Sequence, residues 1–469
     1  MWHAYDNYRQ VRTLQGVVQL QLQIRRCPHP KCERYHQPYR PEAKGKWALP
    51  QQEFGLDVMA LIGAWRYQNH RSVPQIHQQL QQRDICISER SVSNLLKRYD
   101  ELLALKLSKC EALKARLTHQ QRVILAIDGL QPDMGHEVLW VIRDCLSGEI
   151  LLAQTLLSAT TDDLASLFKQ VKASLSVPVV GVVSDGQQSI RKAVAMALPE
   201  VAHGLCHFQY LREAAREIYA ADRHAKKELK KRVRGVRAIE RSLTKGDDAI
   251  TEVIEGYCQA VRSALTDDGR PPLDAAGLRL HQRLQAIEQS LEQLEQKGAS
   301  SSSRQIENEI ELPGTQVRRR LSGLLGAISG RIAQAGVLTQ ALEQFLKVTR
   351  SYWPGLFHCY DVEGLPRTNN DLVHLFGQWR HHQRRCTGRK VAPATAVTRG
   401  SVQLVAAVAT QRRSYSAAEL ATVSCGLQQL RAQLKQHQHK RVQQRRFRQD
   451  PARYLAVLEQ KFLQLVLPP

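Results

Sequence analysis

The chain has 469 residues and a formal net charge of +23, from 67 Lys and Arg against 44 Asp and Glu; that length holds about two to four domains. The cation surplus favours polyanionic partners through counterion release, without separating DNA from RNA or a membrane surface. With no run of about 18 apolar residues and no signal-peptide pattern in the opening segment, the composition argues against a helical membrane protein and predicts a cytoplasmic or nucleoid-associated one.

Residues 1–50 are expected to form a loop region. Within it Cys27, His29, Cys32 and His36 offer either a tetrahedral Zn²⁺ site, with His29 or another residue as fourth ligand beside Cys27, Cys32 and His36, or an unligated polar loop. Ten scattered cysteines suit thiols and a metal site better than a disulfide framework. Residues 51–115 are predicted to be a helical domain with a helix-turn-helix. A helix over 73–80 precedes a turn at 83–87 and a second helix over 88–99, capped by Ser88. Val92, Leu95 and Leu96 would face inward. Arg90, Ser91, Ser93, Asn94 and Lys97 would face outward, able to reach phosphates and base edges of duplex DNA; a plain helical hairpin is the alternative.

From 120 to 215 the pattern changes to strands. Val123-Ile124-Leu125-Ala126-Ile127-Asp128 and Val179-Val180-Gly181-Val182-Val183-Ser184-Asp185 each read as a buried strand stopped at an acid and a glycine. Between them lie strands over 137–143 and 149–155 joined at Ser147-Gly148, then a helix over 162–175 opened by acids. A helix over 188–198 and a fifth strand entering a helix near His203, Cys206 and His207 follow. The order is βββαβα, with Asp128 and Asp185 at the ends of the first and fourth strands. Such a pair suits Mg²⁺ or Mn²⁺, hard cations that take oxygen ligands. His203, Cys206 and His207 read either as a metal cluster or, more simply, as local hydrogen-bonding partners.

Residues 216–350 are predicted to be a helical insertion. It contains a basic patch over 226–237, a near-heptad stripe at Leu273, Leu280, Leu284, Ile287, Leu291 and Leu294, and a flexible break over 297–304. Residues 351–400 complete the core and 401–469 form a basic helical tail.

Gly364-Leu365-Pro366-Arg367-Thr368-Asn369-Asn370-Asp371 opens a further helix, followed by a basic run over 380–390. Taken with Asp128, Ser184-Asp185-Gly186 and His203-x2-Cys206-His207, this segment resembles the DDE transposases of bacterial insertion sequences, relatives of the Mutator-like enzymes. The resemblance covers most of the chain. It implies a ribonuclease-H-like α/β core interrupted by a helical insertion, Mg²⁺- or Mn²⁺-dependent DNA cleavage and strand transfer, and a homo-oligomer on double-stranded DNA.

It also implies a catalytic glutamate three residues after the second asparagine, where this chain has Val373. A valine neither ligates a cation nor accepts a proton. Asp371 then stands as the third acid, although on a helix it lies about 200° around from position 373, and Glu363 is a second substitute. The alternatives are a degenerate transposase acting as a DNA-binding protein or repressor, and a structured-RNA-binding protein or nuclease on the same sheet.

Overall fold

A computed structural model of the chain describes residues 1–33, 35–39, 46–108, 111–131, 137–156, 159–232, 236, 241, 249–266, 313–388, 394–421 and 426–466. It is a mixed α/β protein. Two compact units emerge, the first from Met1–Val179, Lys192–Pro199 and Asn370–Pro469, the second from Val180–Arg191 and Glu200–Asn369.

The first unit begins with a feature the sequence reading missed. Strands β1 (Trp2–Thr13) and β2 (Gly16–Arg26) form a long antiparallel hairpin, and β3 (Pro38–Tyr39) adds a short third strand to β2. Residues 1–50 are therefore not mainly a loop. The signal was the alternation of Gln19, Gln21 and Gln23 with Leu20, Leu22 and Ile24, a period of two that places polar and apolar side chains on opposite faces. Leu14 and Gln15 make the two-residue turn, and Gly16 takes φ +124°, open to glycine without strain.

Four helices follow: α1 (Leu56–Tyr67), α2 (Val73–Gln81), α3 (Glu89–Ser108) and α4 (Glu111–Gln120). Helix α2 starts with a capping box, Ser72 and Gln75 bonding each other's backbone N–H. Helix α3 starts at the expected Ser88, whose Oγ accepts from the Ser91 N–H. It runs nine residues past the expected end at 99, because Tyr99, Leu102 and Leu103 are fully buried and keep its inner face apolar.

A five-stranded sheet has the order β6-β5-β4-β7-β8, with β4 (Val123–Leu130), β5 (Val138–Asp144), β6 (Ile150–Leu156), β7 (Val179–Ser184) and β8 (Ala202–Leu205). The first three form an antiparallel meander and the last two run parallel. Helix α5 (Thr161–Ser174), capped by Thr160, connects β6 to β7, and α6 (Gln188–Ala197) connects β7 to β8. These elements match the βββαβα expectation within two residues.

The second unit continues with α7 (His207–Ala214), α8 (Arg216–Arg232), α9 (Ala249–Thr266), α10 (Gly314–Arg331), α11 (Thr339–Tyr352) and the short α12 (His358–Asp361). In the expected basic patch, Lys226 is buried and Lys231 pairs with Glu228 at 2.7 Å. The leucine stripe at 273–294, the break at 297–304 and the end of the basic run at 389–390 lie outside the described residues, as do 233–235 and 237 of the basic patch.

The chain re-enters the first unit with α13 (Asn370–Thr387), α14 (Ala394–Arg412), α15 (Ala417–Ala421), α16 (Leu427–Gln449) and α17 (Pro451–Val466). Helix α14 runs through the boundary expected at 400. It packs against α3 and β6 with Leu404, Ala406 and Thr410 fully buried, so it is core rather than tail. Arg399 of α14 and Arg431 of α16 close on Glu101 of α3, which is 1 % exposed, at 3.0 and 2.9 Å, with Arg98 at 2.7 Å. Burial alone would raise the Glu101 pKa; the three guanidiniums outweigh it and hold the carboxyl below its usual range. No helix among the described residues is long and apolar enough to cross a membrane.

Candidate functional site

In the second unit, β7 delivers Ser184, Asp185 and Gly186 at its end. Ser184 is fully buried, its Oγ 2.8 Å from His203 Nε2, and its carbonyl accepts from the Cys206 N–H. Asp185 is half-buried; its Oδ1 accepts from the Gln187 N–H two residues on, a turn bond that fixes the carboxylate against the backbone. Gly186 has φ +85°, and a Cβ there would sit 2.7 Å from Tyr352 Cε1, so both the conformation and the space require glycine.

Tyr352, the last residue of α11, comes from 167 positions away in sequence. Its hydroxyl lies 3.0 Å from the Asp185 carbonyl oxygen and 2.8 Å from Glu213 Oε2, so one proton is shared between two acceptors. Arg191 stacks on the Tyr352 ring at 4.5 Å and donates to the carbonyls of Gly186 and Ser351, each at 2.6 Å. These groups border a cavity of about 420 Å³ lined by Asp185, Gln187, Gln188, Arg191, Gln209 and Glu213. Burial raises the Asp185 pKa and the Glu213 charge adds to it, against the opposing pull of the Gln187 N–H and Arg191. A cation in this cavity would relieve that strain on the carboxylate. Glu213 is a residue the sequence reading missed, since nothing local marks an acid on α7 as a neighbour of β7.

His203, Cys206 and His207 act as local partners. His203 bonds Ser184; Cys206 Sγ accepts from the Asn369 N–H at 3.3 Å; His207 bonds the Leu356 carbonyl at 2.7 Å and receives Cys359 Sγ at 3.6 Å. The His207 N–H also donates to the Arg367 carbonyl. Together they pin the segment that leads into the Asn-rich turn. Burial, with Arg191 and His358 nearby, lowers the His203 pKa to about 4. Glu363 is exposed in this unit, just after α12.

In the first unit, Asp128 lies on β4 opposite Val141, half-buried, with its Oδ1 accepting from the Gly129 N–H at 2.8 Å. Asp371 and Val373 are both exposed on α13, which packs against β4 through Leu372 and Phe376 on its buried face. The Cys145 thiol is pushed up to about 12, by burial first, then by the charge of Asp144 with a smaller contribution from Asp371. The Cys145 N–H donates to the Ile124 carbonyl at the opening of β4.

On α3, Arg90, Asn94 and Lys97 are exposed, while Ser91 and Ser93 are half-buried, and the Ser91 hydroxyl bonds Ser88 Oγ at 3.0 Å. Three of the five expected DNA-facing side chains thus stand fully outward. Around Cys27 and His36 the loop is closed by backbone bonds, Cys32 N–H to His29, Tyr35 N–H to Cys32 and His36 N–H to Cys27. Both thiols are free and half-buried. Among the described residues no three His, Cys, Asp or Glu side chains gather as a metal would require.

No family model matches the chain, and no curated protein matches it either.

Proposed function

We propose that the chain is a DDE-type transposase: a homo-oligomeric, nucleoid-associated protein that binds element ends as duplex DNA and carries out phosphoryl transfer from a ribonuclease-H-like core. The observation that carries this reading is Asp185, fixed just after β7 by its bond to the Gln187 N–H on a cavity that Glu213 also lines; Asp128 on β4 is the other acid it invokes. Both acids are half-buried oxygen donors on rigid backbone, a donor set that fits Mg²⁺ or Mn²⁺. Such ions, when bound, polarise the phosphate and lower the pKa of an attacking water or 3′-hydroxyl. Asp128 and Asp185 hold the ions in this reading, and Arg90, Asn94 and Lys97 position the duplex. Glu213 is a second carboxylate on the cavity that Asp185 lines.

A degenerate, DNA-binding repressor is the second reading, and Val373 favours it. The test is incubation of the purified protein, with Mg²⁺ or Mn²⁺, on linear DNA carrying its own gene and flanking sequence. Strand breaks at the element ends, lost in Asp128→Asn and Asp185→Asn, are expected. Retention of that DNA without any metal-dependent break would establish the repressor reading instead.

A further inference from the structure

The β1–β2 hairpin has two chemically distinct faces. By its register, Val11 pairs with Val18, Asn7 with Leu22 and Tyr5 with Ile24 on the inner face, where Val11, Leu22 and Ile24 are buried. On the outer face Gln10 pairs with Gln19, Tyr8 with Gln21, Asp6 with Gln23, Arg12 with Val17 and His3 with Arg25. The four glutamines, Tyr8 and both arginines are exposed. A solvated strand face kept soluble by charge ordinarily carries Lys and Glu; this one has neither. Its single acid, Asp6, already accepts from Gln21 at 2.8 Å and from His3 at 2.7 Å.

Glutamine, offering a donor beside an acceptor, matches the major-groove edge of adenine, and arginine, offering paired donors, matches that of guanine. A major groove about 12 Å wide admits a two-stranded ribbon whose strands lie about 4.8 Å apart. Twelve residues of β1, at about 3.4 Å each, span roughly 40 Å, a little more than one turn of duplex. The ribbon is also anchored beside α3 within the same unit. Arg12 Nη1 donates to the carbonyl of Cys86 at 2.6 Å, in the turn three residues before α3 begins, and the Arg12 carbonyl accepts from the Gly55 N–H just before α1. The chain's charge of +23 complements the phosphates on either side of such a groove.

We propose that the outer face of the β1–β2 ribbon is a second base-reading surface, seated in a DNA major groove next to the one read by α3. This rests on the duplex-binding reading above and extends it to a bipartite site.

The test is selection by the full-length protein from a library of 60-bp duplexes with a randomised centre. The unmodified protein should enrich two separate blocks of preferred bases. Gln19→Ala/Gln21→Ala/Gln23→Ala, all at exposed positions, should lose one block and at least tenfold in affinity for the selected duplex; Asn94→Ala should lose the other block. The single variant Gln21→Glu, which sets a carboxylate against acceptor edges while keeping side-chain size, should abolish preference within the ribbon's block. If the triple variant enriches both blocks with unchanged affinity, the ribbon proposal fails while the duplex-binding reading stands. If the unmodified protein retains no duplex at all, that reading fails and the ribbon proposal with it.

Discussion

Gly186→Ala isolates the brace behind Asp185. At φ +85° an L-residue costs about 1–2 kcal/mol over glycine. The new Cβ would meet Tyr352 Cε1, Cζ and the hydroxyl oxygen at 2.7–2.9 Å, so the ring must move. Moving it pulls the hydroxyl from the Glu213 carboxylate, a charged hydrogen bond worth about 1.5–3 kcal/mol. The combined loss is about 2.5–5 kcal/mol. It should appear as faster amide hydrogen exchange in peptides covering residues 179–197, since local opening reports local stability. With Tyr352→Ala already present, adding Gly186→Ala should cost only the backbone part of about 1–2 kcal/mol, because the clash is gone. Equal costs in the two backgrounds would refute the steric argument.

At the third-acid position, Val373→Glu should raise metal-dependent cleavage sharply if loss of that carboxylate silenced the protein. If another acid serves, the unmodified protein already cuts, and a scan of Glu213→Gln, Asp371→Ala and Glu363→Ala identifies which substitution abolishes cutting without weakening DNA retention. Glu101→Ala leaves three guanidiniums facing a buried gap and should destabilise the first unit by about 3–5 kcal/mol in urea unfolding; a loss below about 1 kcal/mol would show the cluster to be solvent-screened. His203 and His382 have folded pKa values lowered to about 4 and about 3, chiefly by burial. The unfolded chain therefore binds more protons below pH 6.5, and stability is full above that pH and falls as acid is added, by about 1.4 kcal/mol per unit for each histidine down to its folded value. Urea midpoints at pH 7 and 4.5 measure the slope, which His203→Gln should reduce. Zinc at Cys27, Cys32 and His36 is decided by elemental analysis of protein never exposed to chelator: occupancy approaching one equivalent supports the site, and less than about a tenth leaves only the folded loop.

The sheet was legible because buried strands advertise themselves locally, as in Val179–Ser184, which Asp185 follows, and Val123–Leu130, which runs two residues past the end expected at Asp128 because Gly129 and Leu130 still pair with β5. The hairpin is equally periodic, but the Cys27, Cys32 and His36 spacing beside it also fits a metal loop, and composition does not separate the two. The surroundings of Asp185 were beyond any local pattern. Tyr352 and Glu213 reach it from 167 and 28 residues away, and their aromatic and acidic types are unremarkable on the helices that carry them. The outward placement of Arg90, Asn94 and Lys97 on α3 followed from helical period; that Ser91 turns back to its cap did not, because serine competes for backbone and neighbouring hydroxyls in ways periodicity does not encode.

The closure of α3 by α14 sets a timetable for synthesis. Arg399 donates to the Lys97 carbonyl and to Glu101, and Thr410 bonds the Tyr99 hydroxyl, across some 300 residues of chain. At about 5–20 residues per second, a ribosome takes roughly 15–60 s to produce those partners after α3 has emerged. During that interval the nascent helix lacks two of the three guanidiniums that close on Glu101 and the apolar cover of Leu404 and Ala406, so closure of the first unit is deferred until translation is nearly complete. Prematurely terminated chains would then be chaperone and protease substrates.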